Sequence, residues 1–320
     1  MFKELEYLFA KKLMQIGKAE PNNNSPKWES NLGLWEIFKL DDFIQGSPQT
    51  KNIIMLQSAQ FTYKEEKNSN SLFRYFEKIS PEEYFQKSVL DLGCFTGGRL
   101  CYWKEKYNFG ITKGIDINPI FIEAGKLFAI QKNVDIDFQL GYGENLPFES
   151  NSFDFIISYH VFEHVSNIED VMSECLRTLK QNGRLLVIFP QFNNPLESHL
   201  GLVTWIPGLQ CVFSGEILTK AYNDILLERG TEASWYSRNN LPLEKWEKSP
   251  HLNGTKIRDF KKIIKKQGWE IDYWKRDPPQ DSFKNIILKY LLFIPGRLPI
   301  FEEVFLWNIC CVLKKKRLIF

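Results

Sequence analysis

The chain has 320 residues, a formal net charge of +2 and a hydrophobic fraction of 43%. These values are those of an ordinary soluble protein, and the length allows one large domain or a core domain with additions. No apolar run approaches the ~20 residues that a membrane span needs, and the charged N-terminus lacks the pattern of a secretory signal. The six cysteines form no C-x-x-C pair. Their spacing therefore predicts a cytoplasmic protein with neither a metal site nor a disulfide framework.

Charge is distributed unevenly along the chain. From Lys256 to Arg317 there are 15 Lys and Arg against 7 Asp and Glu, so this segment carries +8 and the first 255 residues carry −6. A basic C-terminal third could favour an acidic substrate or a membrane surface, although a solvated charged face explains it as well and is favoured. No basic stripe with aromatic platforms is evident in the core, so nucleic acid is not expected as a partner.

Residues 1–80 predict an N-terminal helical extension. Five apolar residues fall on one face of a first helix that Gly17 would end; they are Phe2, Leu5, Phe9, Leu13 and Ile16. Residues Glu20–Lys27 have the composition of a linker. The mixed segments Trp35–Ile44 and Lys51–Phe61 carry no pattern that assigns them. Ser80, followed by proline, predicts the N-cap of a short helix.

Residues 81–190 predict an α/β core whose first part reads V-L-D-L-G-C-F-T-G-G-R-L from Val89. The opening apolar run is the pattern of a buried parallel strand. Gly93, Gly97 and Gly98 then allow a sharp turn and a close approach of the backbone to a ligand. A helix from Arg99 would direct its free N–H groups at that ligand. This order of strand, glycine loop and helix is typical of the first turn of a nucleotide-binding α/β fold.

Strands and helices then alternate, which predicts a parallel sheet with right-handed crossovers. The predicted strands are Ile111–Ile117, Val134–Leu140, Phe153–Tyr159 and Arg184–Phe189, and the predicted helices are Pro119–Lys132 and Asn167–Gln181. Asp116 lies near the end of the second strand, 23 residues after Gly93. A carboxylate there can accept hydrogen bonds from both ribose hydroxyls of an adenosine. These features suit a nicotinamide dinucleotide as well as S-adenosylmethionine.

After Pro190 the alternation ends, and residues 191–254 predict an inserted substrate lid around one helix, Ser214–Arg229. Its aromatic residues could stack on a flat acceptor, although a role in the core of the lid is favoured for most of them. They are Trp205, Phe213, Trp235, Tyr236 and Trp246.

Residues 255–320 predict the C-terminal part of the core, with a helix at Lys256–Gln267 and strands at Trp269–Trp274 and Phe305–Leu313. The apolar stretch between the two strands, residues 284–299, could touch a membrane surface. Packing against its own domain is favoured.

Four motifs between Ser88 and Pro190 resemble, in order and spacing, those of class I S-adenosylmethionine-dependent methyltransferases of the type 11 family. They read D-L-G-C-F-T-G-G, G-I-D-I-N-P, G-Y-G-E-N-L-P-F with S-Y-H-V-F-E-H-V after it, and L-K-Q-N-G-R-L-L-V-I-F-P. The resemblance implies a Rossmann-like seven-stranded sheet ending in an antiparallel hairpin, with S-adenosylmethionine as cofactor. The E-H-V after the fourth strand and the terminal hairpin disfavour a nicotinamide dehydrogenase.

The resemblance also implies cofactor-binding residues: Asp91, Gly93, Thr96, Gly97, Asp116, Ile117, Tyr142, Gly143, Ser158 and Tyr159. Asp91 and the glycine turn would hold the methionine moiety, and Asp116 would hold the ribose. Ile117 would lie against the adenine, which Tyr142 and Gly143 would bracket. Ser158, Tyr159 and His160 would line the pocket beside the sulfonium. The chain departs from the family at Phe95, usually glycine, and at Tyr142, where many members have an acid.

A methyltransferase mainly has to align the acceptor with the methyl group, and an oxygen acceptor gains from a general base. His160 is the first candidate for that base because it follows the fourth strand, at the end of the sheet where ligands bind. His199 in the inserted segment is the second, whereas Glu163 and His164 are expected to shape the pocket wall. The expected activity is methyl transfer to a small molecule or glycan, with oxygen favoured over nitrogen and carbon as the atom methylated. The alternative is a catalytically silent scaffold that binds S-adenosylmethionine or S-adenosylhomocysteine.

Overall fold

The computed structural model describes residues 2–17, 47–192, 200, 203–204, 206, 208–229, 253–277, 302 and 308–315. The chain divides into two compact units. The first comprises residues 1–25, 190–261 and 276–309, and the second comprises residues 26–189, 262–275 and 310–320. The division of the chain into extension, core and lid stays a prediction.

The second unit contains nearly all of a seven-stranded sheet. Its strands are β1 (Val89–Leu92), β2 (Thr112–Asp116), β3 (Asp137–Leu140), β4 (Phe153–Tyr159), β5 (Leu179–Pro190), β6 (Glu270–Asp277) and β7 (Asn308–Lys314). Their order is β3-β2-β1-β4-β5-β7-β6, and β1 to β5 are parallel. The amide of Lys315, just after β7, donates to the carbonyl of Gly183 near the start of β5 (3.2 Å). Strand β7 therefore runs antiparallel to β5, and the predicted Rossmann-like fold class is confirmed.

Helices connect and flank these strands. They are α1 (Phe2–Ile16), α2 (Pro48–Ser69), α3 (Ser71–Tyr75), α4 (Gly98–Tyr107), α5 (Pro119–Lys132), α6 (Ile168–Thr178), α7 (Leu209–Val212), α8 (Gly215–Arg229) and α9 (Ile257–Lys266). A short 3₁₀ helix, Pro81–Tyr84, begins at the predicted N-cap Ser80, which forms a capping box with Glu83. Side-chain caps also start α2 at Ser47, α5 at Asn118 and α6 at Asn167.

Helix α1 packs against α8 in the first unit through a different face from the predicted one. Tyr7, Ala10 and Met14 are buried there, whereas Leu5 and Phe9 are more than half exposed. The Tyr7 hydroxyl donates to Asp224 Oδ2 on α8 (2.5 Å). The buried face is therefore determined by complementarity to α8, which a count of apolar residues along α1 does not include.

Helix α6 ends earlier than its predicted end at Gln181. The main-chain amide of Ser152 donates to the carbonyl of Thr178 (2.7 Å), and Leu179 pairs with Phe153 in the sheet. Because Thr178 and Leu179 pair with the chain at the start of β4, the residues after Thr178 cannot extend the helix. The register then shifts, so that Arg184 is the next residue of β5 to pair, with Phe155.

Several predicted features lie outside the described residues: the linker Glu20–Lys27, the segment Trp35–Ile44, the stretch 284–299, and Trp205, Trp235, Tyr236 and Trp246. Phe213 is described and is buried, with its ring 6.0 Å from that of Phe9. Among the described helices, none combines the length and the apolar character needed to cross a bilayer.

Candidate active site

The candidate site lies in the second unit, where the parallel strands end. Gly93 follows β1, Asp116 ends β2, Tyr142 follows β3 closely, and His160 follows β4. Because the carboxyl ends of parallel strands share one edge of the sheet, the fold brings these residues to the same edge. This is the edge at which open α/β sheets bind their ligands.

The glycine loop needs its glycines for both conformation and space. Gly93 has φ +77°, and a Cβ built on it would lie 2.2 Å from Cγ2 of Val161. Gly97 has φ +74°, and its Cβ would lie 2.6 Å from the ring of Phe138. Either substitution would impose a left-handed conformation on a residue with a side chain and would also produce a steric clash. The loop therefore presents bare backbone at the end of β1.

Asp116 is held by backbone amides on both of its carboxylate oxygens. The amide of Phe95 donates to Oδ2 (3.0 Å) and the amide of Asn118 donates to Oδ1 (3.0 Å). Burial raises the pKa of Asp116, although these amide hydrogen bonds oppose the shift. Each oxygen can still accept a further hydrogen bond, so the carboxylate is oriented without being saturated.

Phe95, the departure from the family glycine, is accommodated in a left-handed conformation. Its φ is +51°, which is uncommon for a bulky residue. Its ring packs against that of Phe121 in α5, with 4.3 Å between the ring centroids. Phe95 thus places an aromatic contact between the loop and the next helix.

Asp91 is buried in β1, two residues before Gly93. Burial raises the pKa of Asp91 to about 7, and the nearby charge of Arg99 opposes that rise. The guanidinium of Arg99 lies 4.0 Å from the ring centroid of Tyr159 and 3.6 Å from Glu66 Oε2. A cationic ligand group placed beside Asp91 would favour its ionised form.

The remaining predicted cofactor residues differ in accessibility. Ile117 and Tyr142 are largely exposed, so both can contact a ligand. Thr96 and Ser158 are buried and serve internal contacts: Thr96 accepts from Ser58 (3.4 Å) and Ser158 donates to the carbonyl of Leu92 (3.3 Å). Tyr159 is mostly buried as well, and Gly143 approaches Val171, from whose Cγ2 an added Cβ would be 3.3 Å.

His160 lies beside two residues that were expected only to shape the wall. Its Nδ1 is 3.6 Å from Oε1 of Glu163, and Nε2 of His164 is 3.7 Å from the same oxygen. Burial acts to raise the pKa of Glu163, but the nearby imidazoles of His160 and His164 outweigh it, so that its pKa is lowered. The carboxylate is therefore ionised between two imidazoles.

Sequence reasoning did not identify helix α2 as part of this site, nor the pairing of His160 with Glu163. Helix α2, which contains the segment Lys51–Phe61 that the sequence left unassigned, packs on α4 and α5. It supplies Ser58 and Glu66. Its N-cap, Ser47 followed by proline, is the same signal that identified Ser80. The pairing of His160 with Glu163 depends on the turn after β4, which brings the two side chains together outside any helix or strand. His199 lies outside the described residues.

No cluster of three or more His, Cys, Asp or Glu side chains in the described part of the chain is arranged to hold a metal ion. The five described cysteines that carry a free thiol are all buried. In Cys94, Cys101 and Cys175, burial raises the pKa of the thiol. These cysteines therefore behave as core residues.

Comparison with known proteins shows similarity in the core. Residues 90–187 match the family described as "Methyltransferase domain". The chain is 32% identical over 99 residues to a ubiquinone biosynthesis O-methyltransferase of Chelativorans sp. (strain BNC1), covering 31% of this chain and 38% of that protein. It is 30% identical over 151 residues to a demethylmenaquinone methyltransferase of Thermotoga maritima, covering 45% of this chain and 62% of that protein. The matches thus span less than two thirds of either relative.

A solved structure shares the fold at low sequence identity. Geranyl diphosphate methyltransferase in complex with S-adenosylmethionine superposes with a TM-score of 0.50 at 13% identity, covering 85% of this chain and 92% of that one. At this identity the likeness concerns the fold alone.

Proposed function

We propose that this protein transfers a methyl group from S-adenosylmethionine to an oxygen of a small molecule or glycan. The premise is the match of residues 90–187 to the methyltransferase-domain family. The observation that carries the proposal is the carboxylate of Asp116, oriented by two amides beside the glycine loop. The bare backbone at Gly93 and Gly97 provides the cradle, because a Cβ at either position would clash.

The residues present fit this cofactor. The carboxylate of Asp116 would accept hydrogen bonds from the ribose hydroxyls, and exposed Ile117 and Tyr142 would contact the adenine. Asp91, at the end of β1, would balance the charge of the methionine amino group, while Arg99 lies near enough to temper the charge of Asp91. When bound, S-adenosylmethionine supplies an electrophilic methyl group on a sulfonium.

His160 is the residue that would act on the acceptor. Its side chain is partly exposed at the carboxyl end of β4, where an acceptor oxygen could reach it. The imidazole would take the hydroxyl proton as the oxygen forms its new bond to carbon. The preference for oxygen rests on this imidazole, since a neutral amine already carries a free lone pair.

The acceptor class is proposed more broadly than any single relative suggests. One relative is named as an O-methyltransferase of ubiquinone biosynthesis and another as a demethylmenaquinone methyltransferase. A small-molecule hydroxyl agrees with the first of these names. Transfer to nitrogen, a saccharide acceptor and a silent scaffold are distinguished by the experiments below.

Cofactor binding is tested by calorimetric titration with S-adenosylmethionine and S-adenosylhomocysteine. We expect Asp116→Ala to weaken binding about 10²- to 10⁴-fold, because two hydrogen bonds to a charged group contribute roughly 1.5–3 kcal/mol each. Asp135→Ala, an exposed aspartate before β3, serves as the control and should bind normally. Equal affinity of Asp116→Ala and wild type would contradict the assignment.

Turnover is tested by the release of S-adenosylhomocysteine with catechol, a monosaccharide and a primary amine as separate acceptors. We expect methylation of a hydroxyl acceptor, with His160→Gln lowering kcat about 10²- to 10⁴-fold at unchanged cofactor affinity. Methylation of the amine alone would move the proposal to nitrogen. Tight cofactor binding without turnover on any acceptor would support the scaffold.

A further inference from the structure

Glu163 occupies an unusual position for a carboxylate. It is 5% exposed, whereas the side chains of His160 and His164 are each 39% exposed. Its Oε1 lies 3.6 Å from His160 Nδ1 and 3.7 Å from His164 Nε2. One buried oxygen therefore faces two imidazoles that reach the surface.

The other oxygen of Glu163, Oε2, is buried and has no hydrogen-bond partner among the residues that the structure describes. A buried carboxylate is costly unless it is compensated. The interactions with His160 and His164 lower the pKa of Glu163 in spite of its burial. The ionised carboxylate thus depends on the two imidazoles, and it can only accept hydrogen bonds.

The backbone holds His160 against this carboxylate. His160 has φ +57°, a left-handed conformation that is uncommon outside glycine and that tends to persist at functional sites. Its amide donates to the carbonyl of Ile188 in β5 (2.8 Å), and the amide of His164 donates to the carbonyl of Val161 (2.8 Å). Val161 in turn fills the space beside Gly93. The turn from 160 to 164 is therefore fixed directly against the glycine loop.

We propose that Glu163 is a positioning residue that keeps the proton of neutral His160 on Nδ1, so that Nε2 is the free base facing the acceptor. An ionised carboxylate 3.6 Å from Nδ1 favours a proton on that nitrogen over a lone pair, and a neutral imidazole that carries its proton on Nδ1 has its lone pair on Nε2. The catalytic part of this inference rests on the proposed function, whereas the tautomer does not.

The tautomer is measured by long-range ¹H–¹⁵N correlation on the full-length ¹⁵N-labelled protein, with the His160 signals assigned from His160→Gln. We expect the Nδ1–H tautomer in the wild type. In Glu163→Gln this preference should be lost, because an amide can donate to Nδ1 as well as accept from it. Glu149→Gln, at an exposed glutamate, should leave the pattern unchanged.

An Nε2–H tautomer in the wild type would overturn the proposal, as would a pattern unchanged by Glu163→Gln. The wild-type spectrum decides the question even if Glu163→Gln fails to fold. Neither measurement needs an acceptor or the cofactor. Failure of methyl transfer would therefore refute the proposed function without affecting the tautomer result.

Kinetics with catechol, where it is methylated, provide the second readout. We expect Glu163→Gln to lower kcat by no more than His160→Gln does, with the KM for S-adenosylmethionine unchanged. A residue that acts only through His160 adds nothing once His160 is absent, so the double variant should match His160→Gln. Losses that multiply in the double variant, or a change confined to the KM for S-adenosylmethionine, would overturn the positioning role.

Discussion

Replacing Gly98 by alanine places two effects of opposite sign in competition. Gly98 is the first residue of α4, and in an open helix alanine is more stable than glycine by roughly 0.5–1 kcal/mol. In this fold, however, a Cβ at Gly98 would lie 1.9 Å from the carbonyl oxygen of Ala59 and 2.3 Å from Oγ1 of Thr62. Both partners belong to α2, which packs across the start of α4.

The steric effect should exceed the gain in helix propensity. Thr62 can rotate, but the Ala59 carbonyl is part of the α2 backbone, so α2 would have to move by roughly 1 Å or more in a densely packed interior. Overpacking of this kind costs about 1–3 kcal/mol, and occasionally more. We therefore expect Gly98→Ala to lower the free energy of unfolding by about 2–3 kcal/mol, since the displacement involves main chain.

Urea denaturation followed by circular dichroism measures this difference. Gly268→Ala is a suitable comparison, because Gly268 has φ +74° and none of the described residues comes within 4 Å of an added Cβ. That variant should lose only the roughly 1–2 kcal/mol of a left-handed conformation. A Gly98→Ala protein as stable as the wild type, or more stable, would refute the reasoning and would mean that α2 does not approach α4 so closely.

Three further predictions concern the site and the sheet. Burial raises the pKa of Asp91 to about 7, so at pH 6 binding of S-adenosylmethionine, whose amino group is cationic, should release a proton from Asp91. Calorimetry in buffers of different ionisation enthalpy detects this proton release, and Asp91→Asn should abolish the release. Gly93→Ala should greatly weaken cofactor binding in the same titration, because its Cβ would displace Val161, and normal affinity would contradict the loop geometry. Asp154 accepts from Ser88 and Lys180, which outweigh its burial and lower its pKa. The contribution of ionised Asp154 to stability is present above its unfolded pKa of about 4 and is lost as the pH falls through its folded pKa. Asp154→Asn should therefore be less stable than wild type in urea at pH 7, and that difference in stability should shrink towards pH 3.

The sequence contained the elements of the core because their signals are local. The apolar run Phe153–Tyr159 and the helix Pro119–Lys132 have the bounds that the sequence predicted. Strand burial and proline or asparagine caps act over a few neighbouring residues, so they can be recognised without knowing what packs nearby. The glycine spacing after β1 predicted the loop for the same reason.

Features that depend on a distant partner were decided only in the tertiary structure. The buried face of α1 was wrong in the sequence prediction because it depends on α8, more than 200 residues away, where Asp224 accepts from Tyr7. The premature end of α6 depends on β4, and the role of α2 depends on the space beside Gly98. By itself, the sequence determined where the glycine loop, Asp116 and His160 stand along the chain. Only the fold decided that the Glu163 side chain is buried between two imidazoles, because burial and distance are properties of packing that no local pattern encodes.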